Sequence, residues 1–404
     1  PNFLFAILFL DCDRFKIVND SLGHLVGDRL LIAIARRLES CLPPGSTLAR
    51  LGGDEFTILL ENIQNVQAVT TVAERILQEF TISFKVSQSD IFSNVSIGIV
   101  LGNKSYEQPE HLLRDADTAM YQAKGIGKGC YQVFDPAMHH HALNCLEIET
   151  DLRQATEQNE LIVYYQPIVS LTSGRIVGFE ALVRWQHPKQ GLLSPNQFIF
   201  IAEQSELIIK IDLWVMREAC RQLRLWQNEG LIADSIKMSV NLSVKHLTRT
   251  NLIQEIDSLL QESRLDRRDL RLEITESGIM GNAEIAASIL EQLKYREIHL
   301  SIDDFGTGYS SLSYLQRLPV NTLKIDRSFI SRIQNDGQNT EIIRAIIALS
   351  DSLGIQAIAE GVETSSQLQH LRTLGCAFGQ GYFFSPPLNA ESAMRLLQTP
   401  PQWL

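Results

Sequence analysis

The sequence has no excess of positive charge. Its 36 lysines and arginines stand against 47 aspartates and glutamates, a formal charge of −11. Residues 1–135 carry 12 basic and 16 acidic side chains, and the remainder carries 24 and 31. Neither half therefore offers the basic surface that grips a long nucleic acid, and an anionic ligand would need metal ions or local basic residues. No apolar stretch reaches the roughly 18 to 20 residues of a membrane span, and no signal peptide is visible. The chain starts at Pro1 inside an apolar run, which reads as a piece of a longer protein. It is expected to be cytoplasmic, with a sensory or membrane segment upstream in the full-length protein. The six cysteines (Cys12, Cys41, Cys130, Cys145, Cys220, Cys376) include no CxxC pair. They read as free buried thiols in a reducing compartment, not as a disulfide or zinc framework.

What is there is ordinary globular composition over 404 residues, enough for two domains. The first part alternates strands and helices. A continuous apolar run, Phe3 to Leu10, reads as a buried strand ending at Asp11-Cys12-Asp13. Helical spacing follows over 28–41, 66–80 and 109–124, with a strand at 94–101. Two short strands, 47–50 and 56–60, flank Gly52-Gly53, a hairpin signal. A polar stretch from Asp135 then leads into a helical segment over 146–158, which places the domain boundary between Phe134 and Leu146. His139-His140-His141 lies in this stretch. Successive helical residues point about 100° apart, so the triplet reads as a solvated linker face and not a metal site.

The second part has a clearer rhythm. Strands at 161–170, 176–185, 236–242, 270–275, 298–304, 321–326, 355–360 and 376–384 are separated mostly by amphipathic helices at 213–228, 251–262, 282–295, 338–353, 364–374 and 389–397. Eight strands with helical connections predict a (β/α)8 barrel. The turn Thr172-Ser173-Gly174 makes the first pair an antiparallel hairpin, which a regular barrel lacks.

Polar residues cluster at or near the C-terminal ends of these strands: Gln166, Glu180, Asn241, Glu273, Asp303-Asp304, Lys324 with Asp326, Glu360 and Gln380. Barrel active sites are built from those ends. Carboxylates converging on one mouth repel unless a cation compensates. Hard divalent ions, Mg²⁺ or Mn²⁺, suit such oxygen ligands, and a two-metal site suits in-line displacement at phosphorus. Lys324 is a candidate for orienting water, and Arg184, on the face of Glu180, for clamping a phosphate.

GFEALVRW at 178–185, NLS at 241–243, LEITES at 272–277, DDFGTGYSSL at 303–312, LKID at 323–326, AEGVE at 359–363 and GQGYFFSPP at 379–387 together resemble the EAL phosphodiesterases. These hydrolyse the bacterial second messenger cyclic di-GMP to linear pGpG. The resemblance, over about 150–400, implies that Glu180, Asn241, Glu273 and Asp303 bind one metal and that Asp303, Asp304 and Glu360 serve a second. It implies that Lys324 positions the water, Glu276 anchors the DDFGTGYSSL loop, and Gln166, Arg184, Asp326 and Gln380 contact the nucleotide. It also implies a homodimer through the EAL domain.

In the first part, DCDRFKIVND, GHLVGD, ARLGGDEF and AMYQAKGIGK occur in order and resemble the GGDEF diguanylate cyclases, which condense two GTP molecules into cyclic di-GMP. That resemblance, over about 3–134, implies an α+β nucleotidyl-cyclase-like fold. It implies metal binding by Asp11 and Glu55 (Mg²⁺), a catalytic or metal role for Asp54, guanine recognition by Asn19 and Asp28, and a phosphate contact from Lys124. The family's opening helix and DxLTGLxNR-like segment are absent. Pro43-Pro44-Gly45-Ser46 replaces the RxxD inhibition motif, and Gly129 and Cys130 stand where an asparagine is usual. The expected organisation is a GGDEF domain over 1–134, a linker helix over 135–150 and an EAL domain over 151–404. Three readings follow: a phosphodiesterase, a bifunctional cyclase and phosphodiesterase, and a non-catalytic cyclic di-GMP receptor.

Overall fold

The structure is a computed structural model that describes residues 5–13, 15–86, 89–102, 106, 108–230, 236–280, 283–306, 315–333 and 337–403. It divides into two compact units, 1–147 and 148–404.

The N-terminal unit is built on a five-stranded sheet ordered β2-β3-β1-β6-β7. Its strands are β1 (Phe5–Cys12), β2 (Thr47–Gly52), β3 (Glu55–Glu61), β6 (Val95–Gly102) and β7 (Tyr131–Val133), with a separate ribbon of β4 (Phe84–Val86) and β5 (Ser89–Ile91). β1 is apolar up to Leu10 because both faces are covered. Ala6, Leu8 and Leu10 meet the core of helices His24–Cys41 and Val66–Glu79, while Ile7 and Phe9 meet Leu112, Ala116 and Met120 of helix Pro109–Ile126. The strand runs two residues past the expected end, so Asp11 is within it.

The C-terminal unit is an eight-stranded closed barrel. Its strands are β8 (Leu161–Ser170), β9 (Ile176–His187), β11 (Lys237–Asn241), β12 (Leu270–Thr275), β13 (His299–Phe305), β14 (Thr322–Ile325), β15 (Gln356–Ala359) and β16 (Phe378–Gly379), with β10 (Gly191–Leu193) as an antiparallel extension of β9. β8 is antiparallel to both neighbours, β9 and β16, and closes the ring. The hairpin reading is thereby met, with one consequence for the site: Gln166 is not at the C-terminal end of its strand. It lies mid-strand opposite Glu180, and the reversed direction of β8 carries it toward the mouth. The strand expected over 376–384 shrinks to Phe378–Gly379 because the chain must bend sharply. Gly381 has φ +154°, and a Cβ there would lie 2.3 Å from backbone N and O of Val362, so only glycine permits the contact.

Helix Ala137–Ala155 crosses the division between the units and buries Ile148, Leu152 and Ala155 at helical spacing. His139 is not a solvated linker residue. Its Nε2 lies 2.8 Å from Asp115 Oδ1, and its ring packs edge-on against Phe134. The side chains of His140 and His141 lie outside the described set. All six cysteines are free, four of them buried. Among the described residues no helix is long and apolar enough to cross a membrane.

Gly98 on β6 packs directly against the backbone of helix Pro109–Ile126. An added Cβ would sit 1.9 Å from the Ala116 carbonyl oxygen and 2.3 Å from Met120 N, both backbone. Gly98→Ala is therefore expected to destabilise this unit by about 3 kcal/mol, whereas Gly45, with nothing within 4 Å, marks a turn free of such crowding. Hydrogen exchange across Ile7–Leu10, faster in the variant, checks this.

Candidate active sites

Side chains alternate along strands, so Glu180, Asn241, Glu273, Asp303 and Lys324 fall on the lumen side of five different barrel strands. Lys324, 1% exposed, is the hub. Its Nζ lies 3.2 Å from Glu180 Oε2, 2.5 Å from Glu273 Oε2, 3.2 Å from Asp303 Oδ1 and 2.6 Å from Glu360 Oε1. Glu360 follows β15 directly, its backbone N donating to Ile325 O.

Adjacent residues on a strand ordinarily point to opposite faces, yet Asp303 and Asp304 both reach this site. The cause is a register shift in β13: Ile302 pairs with Leu323 and Phe305 with Ile325, so two residues oppose Lys324 alone. Such a bulge re-aims side chains. Asp304 takes φ +53° there, and ligand oxygens of Asp303, Asp304 and Glu360 lie within 4.8 Å of one another.

The remaining predicted residues surround this centre. Asn241 Nδ2 and Gln380 Nε2 donate to the two oxygens of Glu180 at 2.9 and 2.6 Å, Gln380 Nε2 also reaches Gln166 Oε1 at 3.0 Å, and Gln166 Nε2 donates to Ser385 O. Glu276 Oε2 accepts from Gly306 N at 2.9 Å, anchoring the start of the DDFGTGYSSL loop; positions 307–312 of that motif lie outside the described residues. Arg184 stands over the Tyr164 ring and donates to Val183 O. Asp326 caps helix Arg327–Ile330, accepting from Ser328 N. A cavity of about 380 Å³ opens here between the carboxylates and an apolar wall that includes Pro195, Ile199 and Ile211.

One ammonium cannot serve so many acids equally. Burial opposes charge on Lys324, but Asp303, Glu180, Glu273 and Glu360 hold it protonated, well above the usual lysine range. Burial likewise opposes the ionised form of Glu180, which Lys324 and the bonds from Gln380 and Asn241 overcome, leaving it below the usual carboxylate range. Glu273 is pushed up to about 7 by burial, which Lys324 only partly offsets, with Glu180 and Asp303 adding to the rise. Asp304 rises to about 6 through burial and then Asp303, and Glu360 rises well above its usual value, burial first. Five carboxylates and one lysine leave a formal −4, and Glu273 Oε1 is buried with no partner. Hard oxygen donors, surplus negative charge and an orphaned buried oxygen fit divalent cations.

The N-terminal unit gathers a second, more open set. Asp11 of β1 stands opposite Glu55 of β3, across from the Gly53-Asp54 hairpin tip, and Lys124 Nζ binds Asp11 Oδ2 at 2.7 Å. Burial, then Asp11, raises Asp54; burial, then Asp117, raises Glu55. Asp117 was not predicted. It precedes Lys124 by seven residues on helix Pro109–Ile126, two turns along one face. Asp13 does not join the cluster, as it accepts from Ser96 Oγ and Gly129 N instead. Asn19 packs on the backbone of Gly27, where a Cβ would lie 1.9 Å from its Oδ1, and Asp28 follows on the exposed side.

The fold and sites define a barrel with an acidic mouth, preceded by a nucleotidyl-cyclase-like domain. The EAL domain family matches residues 149–387, and the family "Diguanylate cyclase, GGDEF domain" matches residues 1–130. The chain belongs to the EAL family and carries a GGDEF domain ahead of the barrel. It is 42% identical over 390 residues, 96% of this chain, to the bifunctional diguanylate cyclase/cyclic di-GMP phosphodiesterase MucR of Pseudomonas aeruginosa, and 41% identical over 383 residues, 95% of the chain, to the cyclic di-GMP phosphodiesterase NbdA of the same organism. It spans 56% and 48% of their lengths, about half of the curated relatives it matches. A solved structure of the PaMucR phosphodiesterase in its c-di-GMP complex is 44% identical, with TM-score 0.59, covering 61% of this chain and 99% of that one.

The raised carboxyls give a pH test. Glu273 is about 7 in the folded chain against about 4.3 unfolded. The folded state therefore binds more protons across that window, and the contribution is present below pH 4 and lost as pH rises through 7. Metal-free protein is expected to lose melting temperature from pH 5 to pH 7.5 more steeply than Glu273→Gln does, and added Mg²⁺ to restore it at pH 7.5. Equal slopes in a chelator would contradict the assignment.

Proposed function

We propose that the barrel hydrolyses cyclic di-GMP to linear pGpG with Mg²⁺ or Mn²⁺ held at its mouth. The observation that carries this reading is the ring of carboxylates around Lys324, with Asp304 added by the bulge. Glu180, Asn241, Glu273 and Asp303 would hold one cation, and Asp303, Asp304 and Glu360 a second. When bound, such ions lower the pKa of water and offset charge on phosphate oxygens. Lys324 is the group to hold the attacking water: the water oxygen bonds to phosphorus as the bond to one ribose O3′ breaks, a neighbouring carboxylate or solvent takes the water's proton, and the departing O3′ gains a proton from solvent to leave as a hydroxyl. Gln380 keeps Glu180 in place while Gln166, Arg184 and Asp326 line the approach of the nucleotide. The names of the MucR and NbdA relatives support the substrate.

The second reading, a bifunctional chain that also makes cyclic di-GMP from GTP with Mg²⁺, is favoured by the meeting of Asp11, Glu55 and Lys124. In it Asp54 serves the metal or the reaction, and Asn19 and Asp28 recognise guanine. A dimer through the EAL domain and a sensory segment upstream complete the proposal.

Chromatography of products after incubation with cyclic di-GMP and Mg²⁺ tests the first reading. Linear pGpG is expected, and Glu180→Ala or Asp303→Ala should fall below about one-hundredth of the parent rate, since even outer-shell changes cost 10- to 100-fold. Unchanged turnover in either variant rejects the mechanism, and tight metal-dependent binding without hydrolysis would indicate a receptor. The second reading is tested by GTP with an Asp303→Ala chain, where cyclic di-GMP should accumulate and Glu55→Ala should stop it.

A further inference from the structure

The opposite end of the barrel has the reverse charge. Lys237 opens β11, Arg271 is the second residue of β12 and His299 opens β13; Arg271 stands in register with Ser239 on one side and His299 on the other. By alternation Arg271 shares the lumen face of Glu273, two residues nearer the base. It is 5% exposed, its Nε has no partner, and it makes no ion pair among the described residues. Lys237 Nζ lies 3.0 Å from His299 Nε2 and donates to Arg268 O, so it meets neither carboxylate nor phosphate. Glu273, two residues on, favours the charged guanidinium against burial, and an anion in contact with it would offset more of that cost.

Beside this group lies a cavity of about 800 Å³ whose wall includes Arg224, Lys237, Arg264 and Arg268. Two acids share that wall with the cations. Asp266 is paired with Arg268 at 2.7 Å, and Asp269 accepts from Gln227. The local field is positive enough to register on neighbours: burial, then Lys237 and Arg271, pushes His299 down to about 4.

We propose that the base of the barrel is a binding site for a phosphate group, free or carried on a small metabolite, held by Lys237 on the wall of the Arg224–Arg268 cavity and by the charge of the neighbouring buried Arg271. Phosphate is preferred to a monocarboxylate because several unpaired cations call for a dianion, and the guanidinium fork matches phosphate oxygens. No bond is made or broken there. The site is separate from the mouth, where surplus carboxylates repel phosphate unless metals are bound.

That separation makes the test clean. Calorimetric titration of the full chain with inorganic phosphate, in a chelator that leaves the mouth acidic, is expected to show saturable binding of one ion. Arg271→Met and Lys237→Met should each weaken it at least tenfold, with circular dichroism confirming that the variants fold. A parallel titration with GMP distinguishes the sources: binding that competes with phosphate indicates a phosphorylated metabolite, and exclusion of GMP indicates free phosphate. Absence of saturable binding, or equal affinity in both variants and the parent, overturns the proposal. So does loss of binding in Lys124→Met, which would move the phosphate to the N-terminal unit.

Discussion

Everything at the barrel mouth depends on one buried ammonium. Lys324 is almost fully removed from solvent and touches carboxylates from β9, β12 and β13 and from the end of β15. Isolating such a charge from water is prohibitive, and isolating the acids without it would be worse. The contacts exist only if the strands hold their register across a closed ring, so the site tests the fold as much as the fold builds the site. Barrel interiors are usually filled by branched apolar side chains. Here the lumen carries Ser239, Arg271, Glu273, Ser301, Thr322 and Lys324, and the apolar packing lies on the outer faces, with Leu270, Leu272 and Ile274 of β12 fully buried under the helices. Stability and chemistry are thus assigned to opposite faces of the same strands.

The N-terminal unit solves a related problem in a wetter setting. Asp11, Asp54, Glu55 and Asp117 also share a single lysine, but Lys124 and Asp11 keep 28% and 13% of their side chains exposed. Solvent screens repulsion there; burial raises Asp54 and Glu55, as it raises the more deeply buried Glu273. A similar excess of acids over one lysine therefore yields a loosely coupled set at a hairpin tip and a tightly coupled one inside a barrel.

Most of the architecture was legible because apolar runs end where the chemistry begins. The strands at 161–170, 270–275 and 298–304 and the helices at 251–262 and 364–374 fall within a residue or two of the observed bounds, since each is bounded by turn or cap residues such as the Thr364 capping box. What escaped depends on three dimensions. The bulge at Asp303-Asp304 leaves no periodic trace in sequence, because it is defined by what β14 places opposite. The shortening of β16 follows from the approach of Val362 to Gly381. Asp117 was hidden because a lone acid on a polar helix face is usually solvated, and only the hairpin opposite gives it company. Gln166 was placed correctly at the mouth for the wrong reason, a strand end, when the reversal of β8 was what brought it there.

The lumen also has a polarity along its length. Carboxylates dominate at the C-terminal mouth, small hydroxyls (Ser239, Ser301, Thr322) form the middle, and Lys237 and Arg271 stand at the base. The two ends are coupled through β12, where Arg271 and Glu273 are separated by one pleat. A positive charge below Glu273 favours its ionised form, and Glu273 in turn favours the charged guanidinium, which burial opposes. Neutralising the base with an anion would withdraw a nearby positive charge, raising the affinity of Glu273 for a proton and for a cation alike. By reciprocity a cation at the mouth, drawing on the charge of Glu273, would leave Arg271 freer to hold an anion. An acid cluster alone would bind metals more strongly as its charge rises. Mounted above a basic floor, it instead carries an affinity that depends on what occupies the other end.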